Sequence, residues 1–241
     1  MKQWIMLIIM LTGFSSYGEI LQIGTENNNP PFTSKIDNNN HYYGFDMEIM
    51  SEICKRIKAK CFFSSMIFED LFPALDHNQI DLAIASIIIT PERQESFLFS
   101  HAYLNSQIQL IALKNSKINT TTQLNNKRIG LLKGTVFKNF VLDLYKSNIK
   151  IKEYRHDPEL LEALNQHEVD AIVLDRGSAQ YWYANSGDQY KLIQPPITFG
   201  NGYGIAAKLG RTDLITRINE ALKNMMSDGG YSKIYNNYFQ N

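Results

Sequence analysis

Residues 81–93 read DLAIASIIITPER, an apolar strand followed by a turn and a single arginine. Residues 83–85 (Ala-Ile-Ala) predict a short buried strand, because the run is too short and too β-branched to be a helix. Residues 90–92 (Thr-Pro-Glu) predict a helix start, with a capping hydroxyl, a first-turn proline and an acid. Backbone N–H groups near Ser86 and the guanidinium of Arg93 would then meet at one cleft and suit a carboxylate. A solvated helix arginine is the alternative.

Outside this stretch, short apolar strands alternate with amphipathic helices, which is typical of an α/β fold with mostly parallel sheets. The predicted strands are 20–25, 61–66, 83–85, 107–113, 128–132, 150–154, 169–174 and 201–207. The predicted helices are 45–59, 69–77, 136–146, 158–166, 178–185, 212–226 and 231–239. No flexible linker is evident, so we expect two lobes joined by extended strands near 106–109 and 199–204. A ligand would lie between the lobes, near the carboxyl ends of the strands.

The N-terminal residues 1–18 predict a cleavable secretory signal, with Lys2, an apolar run and a small-x-small site ending at Gly18. A retained N-terminal anchor is the alternative. Cleavage would leave 223 residues (241 − 18) and change the formal net charge from 0 to −1, since only Lys2 is lost. With no basic excess, nucleic acid and anionic membranes are poor candidates as partners.

Two cysteines, Cys54 and Cys61, are the only ones in the chain. An even cysteine count in an exported protein favours a disulfide over free thiols. Closing so short a loop would contribute about 2.5 kcal/mol in the chain-entropy model. We therefore expect the bridge to fix the corner between a helix and the next strand.

Other chemistries have little support. The five histidines are scattered singly, so neither a metal site nor a Ser/His/Asp triad is indicated. The segment RIGLLKGT (128–135) has its second glycine too early for a phosphate-binding loop, and Thr135 follows instead of a lysine. We expect no cofactor. The aromatic-rich segment 231–239 favours a docked terminal helix over a partner site.

Several motifs, taken in order, resemble those of the bacterial periplasmic solute-binding proteins for polar amino acids. They are the signal 1–18, GFDMEIMSEICKRIKAKC (44–61), DLAIASIIITPER (81–93), RIGLLKGT (128–135) and VDAIVLD (169–175). The segment CKR-x-x-x-KC resembles most the branch that binds lysine, arginine, ornithine and histidine. The similarity implies a two-lobed clamshell that delivers an amino acid to an inner-membrane ABC permease from the periplasm. Its expected parts are residues 19–107 plus 203–241 as lobe 1 and residues 108–202 as lobe 2, in a monomer.

The resemblance also implies a set of ligand-binding residues. They are Glu26, Phe68, Ser86, Ile88, Arg93, Thr135, Val136, Phe137 and Asp175. Arg93 would bind the ligand α-carboxylate, together with the backbone N–H groups of Ser86 and Val136, the latter at a helix start. Asp175 would bind the α-ammonium, or alternatively cap a helix.

The far end of the ligand is less well defined by this resemblance. Phe68 would pack on the ligand side chain, or belong to the core. Glu26 would pair with a distal cation, or lie in solvent. Phe137 replaces a polar residue of relatives and would stack on a guanidinium. Ile88 stands where relatives have a hydroxyl.

One further departure is Asn29, which stands where relatives carry an aromatic wall of the site. Tyr42 or Tyr43 would be the replacement, and the sequence leaves the choice open. The sequence thus predicts binding of a basic amino acid, arginine ahead of lysine. The alternative is a periplasmic enzyme on the same scaffold, similar to cyclohexadienyl dehydratase, with Asp175 or Glu26 as the general acid.

Overall fold

The computed structural model describes residues 18–37, 41–146 and 148–239. The predicted signal peptide, residues 1–18, lies outside the described residues except for Gly18. Within the described ranges, no helix is both long enough and apolar enough to cross a bilayer.

Helices and strands alternate through most of the chain. The strands are β1 (Ile20–Glu26), β2 (Asn28–Asn29), β3 (Thr33–Lys35), β4 (Tyr42–Tyr43), β5 (Lys60–Met66), β6 (Leu82–Ala83), β7 (Phe97–Phe99), β8 (Gln107–Leu113), β9 (Arg128–Leu132), β10 (Lys150–Tyr154), β11 (Ala171–Asp175), β12 (Tyr190–Thr198) and β13 (Ala206–Lys208). The α-helices are α1 (Phe45–Arg56), α2 (Phe68–Asp76), α3 (Pro91–Gln94), α4 (Phe137–Tyr145), α5 (Asp157–Asn165), α6 (Arg176–Asn185), α7 (Thr212–Ser227) and α8 (Gly230–Phe239). A 3₁₀ turn covers Thr121–Leu124.

Two five-stranded sheets form two lobes, as the sequence predicted. The first has the order β5-β1-β6-β13-β7, the second has the order β10-β9-β11-β8-β12, and β2-β3-β4 form a small separate sheet. We call the elements around the first sheet the first lobe and those around the second sheet the second lobe. In each large sheet four strands run the same way and one, β13 or β8, runs against them.

The reversed strands have a simple cause in the chain path. The chain leaves β7 and enters β8 in the other sheet, and it later leaves β12 and returns through β13. Each reversed strand therefore enters its sheet from the edge at which the other four strands end. The two crossing segments also pair with each other, since the Tyr103 N–H donates to Tyr203 O (2.9 Å) and the Tyr203 N–H donates to Leu104 O (2.8 Å). The carboxyl ends of eight strands thus face one cleft.

The segment 81–93 folds largely as expected. Its strand is short, Leu82–Ala83, and α3 begins at Pro91 with the Thr90 hydroxyl accepting from the Arg93 N–H at 3.4 Å. Between them Ser86 has a φ of 41°, a left-handed conformation that few residues other than glycine adopt. The chain therefore turns sharply where the strand reaches the cleft.

The predicted disulfide is confirmed, since Cys54 of α1 is bonded to Cys61 of β5. The C-terminal helix is docked, as the spacing of its aromatic residues indicated. The buried Phe45 ring contacts four aromatic rings of α8, the nearest being Phe239 at 4.9 Å between ring centroids. The disulfide and the docked helix α8 together fix both ends of α1. The first turn of α1 carries Asp46, which lies at the cleft.

Candidate functional site

A small cavity lies between the two lobes, at the carboxyl ends of the strands. It is lined by Phe68, Ser86, Ile88, Arg93, Thr135, Val136, Phe137 and Asp175. These are eight of the nine residues that the sequence predicted to bind the ligand, and they come from both lobes. The ninth, Glu26, ends β1 and lies beside Asn29, whose Oδ1 accepts a hydrogen bond from Ser178 of the second lobe. The structure thus brings the predicted set together, while their binding role stays a prediction.

Arg93 reaches across the cleft from the first lobe. Its Nη1 donates to Ile88 O at 2.9 Å, and its Nη2 donates to Gly134 O of the second lobe at 3.3 Å. The guanidinium also lies over the rings of Phe72 (4.8 Å) and Phe68 (5.4 Å). Burial lowers the Arg93 pKa to about 10, so the group is cationic at neutral pH. Arg93 is therefore partly buried and fixed by two hydrogen bonds, and it is not a solvated helix arginine.

Asp175 faces Arg93 from the end of β11 and is buried. It occupies the N-cap position of α6, but its side chain makes no capping hydrogen bond. Its Oδ1 instead accepts from the Tyr203 hydroxyl at 2.7 Å, and its Oδ2 accepts from Ser86 Oγ at 3.0 Å. Burial raises the Asp175 pKa to about 6, although these hydrogen bonds and the charge of Arg93 oppose the rise. The carboxyl is thus directed into the cleft and away from the helix.

Ser86 is held by a carboxylate that the sequence analysis did not single out. Its N–H donates to Asp46 Oδ2 at 2.7 Å, and Asp46 Oδ1 accepts from the Tyr103 hydroxyl at 2.9 Å. Asp46 is fully buried, and burial raises its pKa to about 7. The N–H that the resemblance assigned to a ligand carboxylate is therefore already bonded within the protein. The Ser86 hydroxyl, in contrast, points toward Asp175.

The second lobe contributes the start of α4. Thr135 Oγ1 donates to Leu132 O at 2.7 Å, which holds the turn between β9 and the helix. Val136 is the N-cap residue of α4, so the helix begins at the cavity wall, where its dipole favours an anion. Phe137, the first helical residue, is buried and forms an apolar side of the cavity.

Residues at the far side of the cleft are acidic. Glu26 is buried and accepts from Asn29 Nδ2 at 3.0 Å, so it is not a solvated loop acid. Burial raises its pKa well above the ordinary value, and the charges of Asp157 and Asp175 raise it further. Asp157, the first residue of α5, is also buried, and burial raises its pKa to about 8. The sequence analysis missed Asp157, although it follows a strand whose carboxyl end faces the cleft.

Neither tyrosine offered as a replacement for the aromatic wall at Asn29 lines this cavity. Tyr42 packs against Phe63 at 6.5 Å between ring centroids, and its hydroxyl accepts from the Ser65 N–H at 3.1 Å. Tyr43 is about half exposed, and both tyrosines border a different cavity between α1 and α8. The position of the aromatic wall is therefore filled by the Asn29 amide and its hydrogen bonds.

Comparison with known proteins agrees with this geometry. The family model of the bacterial extracellular solute-binding proteins, family 3, matches residues 21–241. The chain belongs to this family. Among curated proteins, the putative ABC transporter arginine-binding protein 2 of Escherichia coli (strain K12) is 30% identical over 98% of each chain.

Solved structures of related proteins have the same two-lobed fold. An arginine third transport system periplasmic binding protein from Legionella pneumophila is 41% identical, with a TM-score of 0.88 over 92% of this chain and 100% of that one. An ancestral arginine-binding protein bound to arginine is 33% identical, with a TM-score of 0.84 over 91% of this chain and 98% of that one.

This solute-binding protein is in a closed arrangement. The cavity between the lobes has a volume of about 10 Å³, which is roughly what a single water molecule needs. Gly134 of the second lobe approaches α2 so closely that a Cβ there would lie 2.7 Å from Glu69 Cα. An amino acid can therefore enter only if the lobes separate.

Two ion pairs join the lobes at the rim of the cleft, and both involve Glu69 of α2. Lys133 Nζ lies 2.9 Å from Glu69 Oε2, and Arg155 Nε lies 2.6 Å from Glu69 Oε1. The Lys133 hydrogen bond is the main cause that lowers the Glu69 pKa below its ordinary value. Glu69 is only 16% exposed, but the side chains of both its partners are about half exposed. Because solvent screens the two exposed cations, each pair is worth no more than about 1 kcal/mol.

We expect Glu69→Gln to shift the solute-binding protein toward an open arrangement, because both rim ion pairs are lost. The expected change is about 0.5–2 kcal/mol, or roughly two- to thirtyfold in the open-to-closed ratio. Small-angle X-ray scattering of the ligand-free protein would show a larger radius of gyration. Asp188→Asn is the matched control, because its ion pair with Lys114 lies within one lobe. Identical scattering profiles for the two variants would contradict the role of Glu69.

Proposed function

We propose that the protein binds an amino acid with a cationic side chain, arginine ahead of lysine, and delivers it to an inner-membrane ABC permease. The observation that carries the proposal is the facing pair of Arg93 and Asp175, one guanidinium and one carboxyl from opposite lobes at a single cavity. A zwitterion has the complementary pair of charges. Family membership and the arginine-binding relatives support the same function.

The α-carboxylate would take the place of two protein acceptors. In the closed form the forked Nη atoms of Arg93 donate to Ile88 O and Gly134 O. A ligand carboxylate offers two oxygens in one plane and accepts such a fork with shorter, charge-assisted bonds. The Val136 N–H at the start of α4 and the Ser86 hydroxyl would complete the site. We assign Ser86 through its hydroxyl, because its N–H is bonded to Asp46. The hydroxyl would turn from Asp175 to the ligand carboxylate, and the α-ammonium would take its place at Asp175.

The α-ammonium would pair with Asp175, and the rest of the ligand would lie between Phe68 and Phe137. This part of the cleft has an excess of carboxyls over cations, since Glu26 and Asp175 are both buried and Arg93 faces Asp175. A ligand that carries one more positive than negative charge balances that excess. We therefore favour a basic amino acid over a neutral or acidic one.

Closure would couple binding to transport. The ligand contacts both lobes only when they are shut, so its binding shifts the open–closed equilibrium toward the shut form. Hinge closure around a ligand, for which periplasmic binding proteins are a familiar example, would give the permease one shape to recognise. We propose a monomer with lobes of residues 19–107 plus 203–241 and 108–202. The periplasm is the proposed location, reached by export with cleavage of the signal peptide after residue 18.

We do not propose an enzyme. A dehydratase on this scaffold would use Asp175 or Glu26 as a general acid, and both carboxyls already accept hydrogen bonds from Ser86, Tyr203 or Asn29. These bonds oppose the rise in pKa that burial causes and hold both carboxyls in place, which suits cation binding. Turnover of prephenate or arogenate by the purified protein would overturn this assignment.

Isothermal titration of ligand-stripped protein with the twenty amino acids tests the proposed function directly. We expect heat with arginine, weaker binding of lysine and little response to acidic amino acids. The excess of carboxyls in the cleft is the physical reason for the preference over acidic amino acids, and the planar fork of a guanidinium is the reason for the preference over lysine. An absence of heat with all twenty amino acids would reject the transport function.

Arg93→Lys should weaken arginine binding by at least about 30-fold, because an ammonium keeps the charge but cannot offer the planar fork. The measurement is titration calorimetry, with melting temperature as the check on folding. Arg217→Lys is the matched control, since Arg217 pairs with Glu19 on the surface of the first lobe. Affinity within threefold of the wild type for Arg93→Lys would show that Arg93 does not hold the carboxylate.

Binding should also weaken in acid, because an ammonium pairs only with the ionised form of Asp175. The Asp175 pKa is raised to about 6 in the free protein, and a bound ammonium would lower it. Binding therefore releases a proton below pH 6, and affinity falls by up to about tenfold per pH unit as the pH drops. Titrations at pH 7, 6 and 5 measure this, with the ligand-free melting temperature as control. Equal affinities at pH 7 and pH 5 would contradict the assignment.

A further inference from the structure

Asp157 differs from the other buried acids of the cleft. Asp46, Asp175 and Glu26 each accept at least one hydrogen bond from a neighbouring side chain or backbone N–H. Asp157 is only 6% exposed, yet no group in the described parts of the chain donates a hydrogen bond to its carboxyl. Its oxygens keep some solvent contact, because the fully buried unpartnered side-chain atom among the described residues is Ser186 Oγ. The carboxyl is therefore available to a partner in the space that it borders.

The position of Asp157 indicates what that partner is. Asp157 begins α5 in the second lobe and lines a cavity of about 260 Å³ together with Glu26 of the first lobe. The two carboxyls are close enough that the charge of Asp157 is, after burial, the largest cause that raises the Glu26 pKa. Glu26 and Asp157 therefore form a pair of carboxyls that faces one space from opposite lobes.

We propose that Asp157 is a second carboxylate for the ligand's side-chain cation, which it holds opposite Glu26, and that it determines specificity for a guanidinium. This inference rests on the proposed function and names the group that recognises the distal end of the ligand. A guanidinium is planar and carries donors on more than one edge, so two carboxylates can each take an edge. A lysine ammonium is a compact point charge and satisfies such a pair less well.

The charges around this space support a cation as the ligand. Burial is the main cause that raises the pKa of both carboxyls, and like charge adds to it, from Asp157 on Glu26 and from Asp175 on Asp157. A positive charge between two such carboxyls relieves that repulsion. Arg155 lines the same cavity, but its Nε is bonded to Glu69 at 2.6 Å, outside the pair. His156 and Glu159 also border the space and are exposed.

A purely helical role for Asp157 explains the observations less well. An acid in the first helical turn interacts favourably with the helix dipole, and such acids are usually solvated. Asp157, in contrast, is only 6% exposed, and burial raises its pKa to about 8. Glu159, in the same turn, supplies the exposed acid that the dipole favours.

The test compares arginine with citrulline, in which a neutral ureido group replaces the guanidinium. We expect Asp157→Asn to weaken arginine binding by about 10- to 100-fold in titration calorimetry, because a charge-assisted hydrogen bond is lost. Citrulline affinity should stay within threefold of the wild-type value. Glu26→Gln should show the same pattern. Glu159→Gln is the matched control, and both affinities should remain those of the wild type.

Two results would overturn the inference. One is wild-type arginine affinity in Asp157→Asn, and the other is an equal loss of arginine and citrulline binding. Asp157→Glu guards against a folding defect, because it keeps the charge. Its preference for arginine over citrulline must exceed that of Asp157→Asn by at least tenfold, and equal preferences count against the inference. If the wild type binds neither compound, the proposed function itself fails.

Discussion

The structure depends on the burial of several carboxyl groups beside one guanidinium at the junction of two sheets. Asp46, Asp175, Glu26 and Asp157 are all buried there, and Arg93 is the cation that faces Asp175. Burial disfavours each ionised carboxylate, so the arrangement is stable only where hydrogen bonds, a proton or a cation compensates. The Tyr103, Tyr203 and Ser86 donors compensate two of the four. A cationic ligand can compensate the other two, Glu26 and Asp157, and the rest of the fold positions these carboxyls.

The resemblance to the solute-binding family supplied most residues of this site, and strand direction explains why they meet. An apolar run that ends in a polar residue is recognisable, and in a parallel sheet all such ends meet at one edge. Glu26 ends β1, Asp175 ends β11, and Arg93 follows β6 by a short turn. The order of motifs in the chain then allowed these ends to be assigned to two lobes. Neither the pairing of strands nor the lobe contacts was needed for that step.

What the sequence did not reveal has local physical causes. The strand β12 was missed because Pro195 and Pro196 interrupt its pattern, and prolines are tolerated there since β12 is an edge strand with a bulge. Asp46 looked like an ordinary first-turn acid of α1, and its role appears only when β6 brings the Ser86 N–H to it. Asp157 was similarly hidden in a helix start. Burial, and not residue type, distinguishes both from solvated acids.

The closed cleft satisfies most of its polar groups internally, and this constrains how a ligand can bind. Arg93 donates to two carbonyls, and the cavity beside it holds only about 10 Å³. Asn29 bridges Glu26 and Ser86 in its own lobe and accepts from Ser178 across the cleft. A ligand therefore replaces existing hydrogen bonds and adds few, so their number contributes little to the net affinity. The gain must come from charge, because a carboxylate is a better acceptor for Arg93 than a carbonyl and a cation relieves the repulsion among buried acids. Selectivity for a cationic amino acid is then a consequence of the same burial that shapes the cleft.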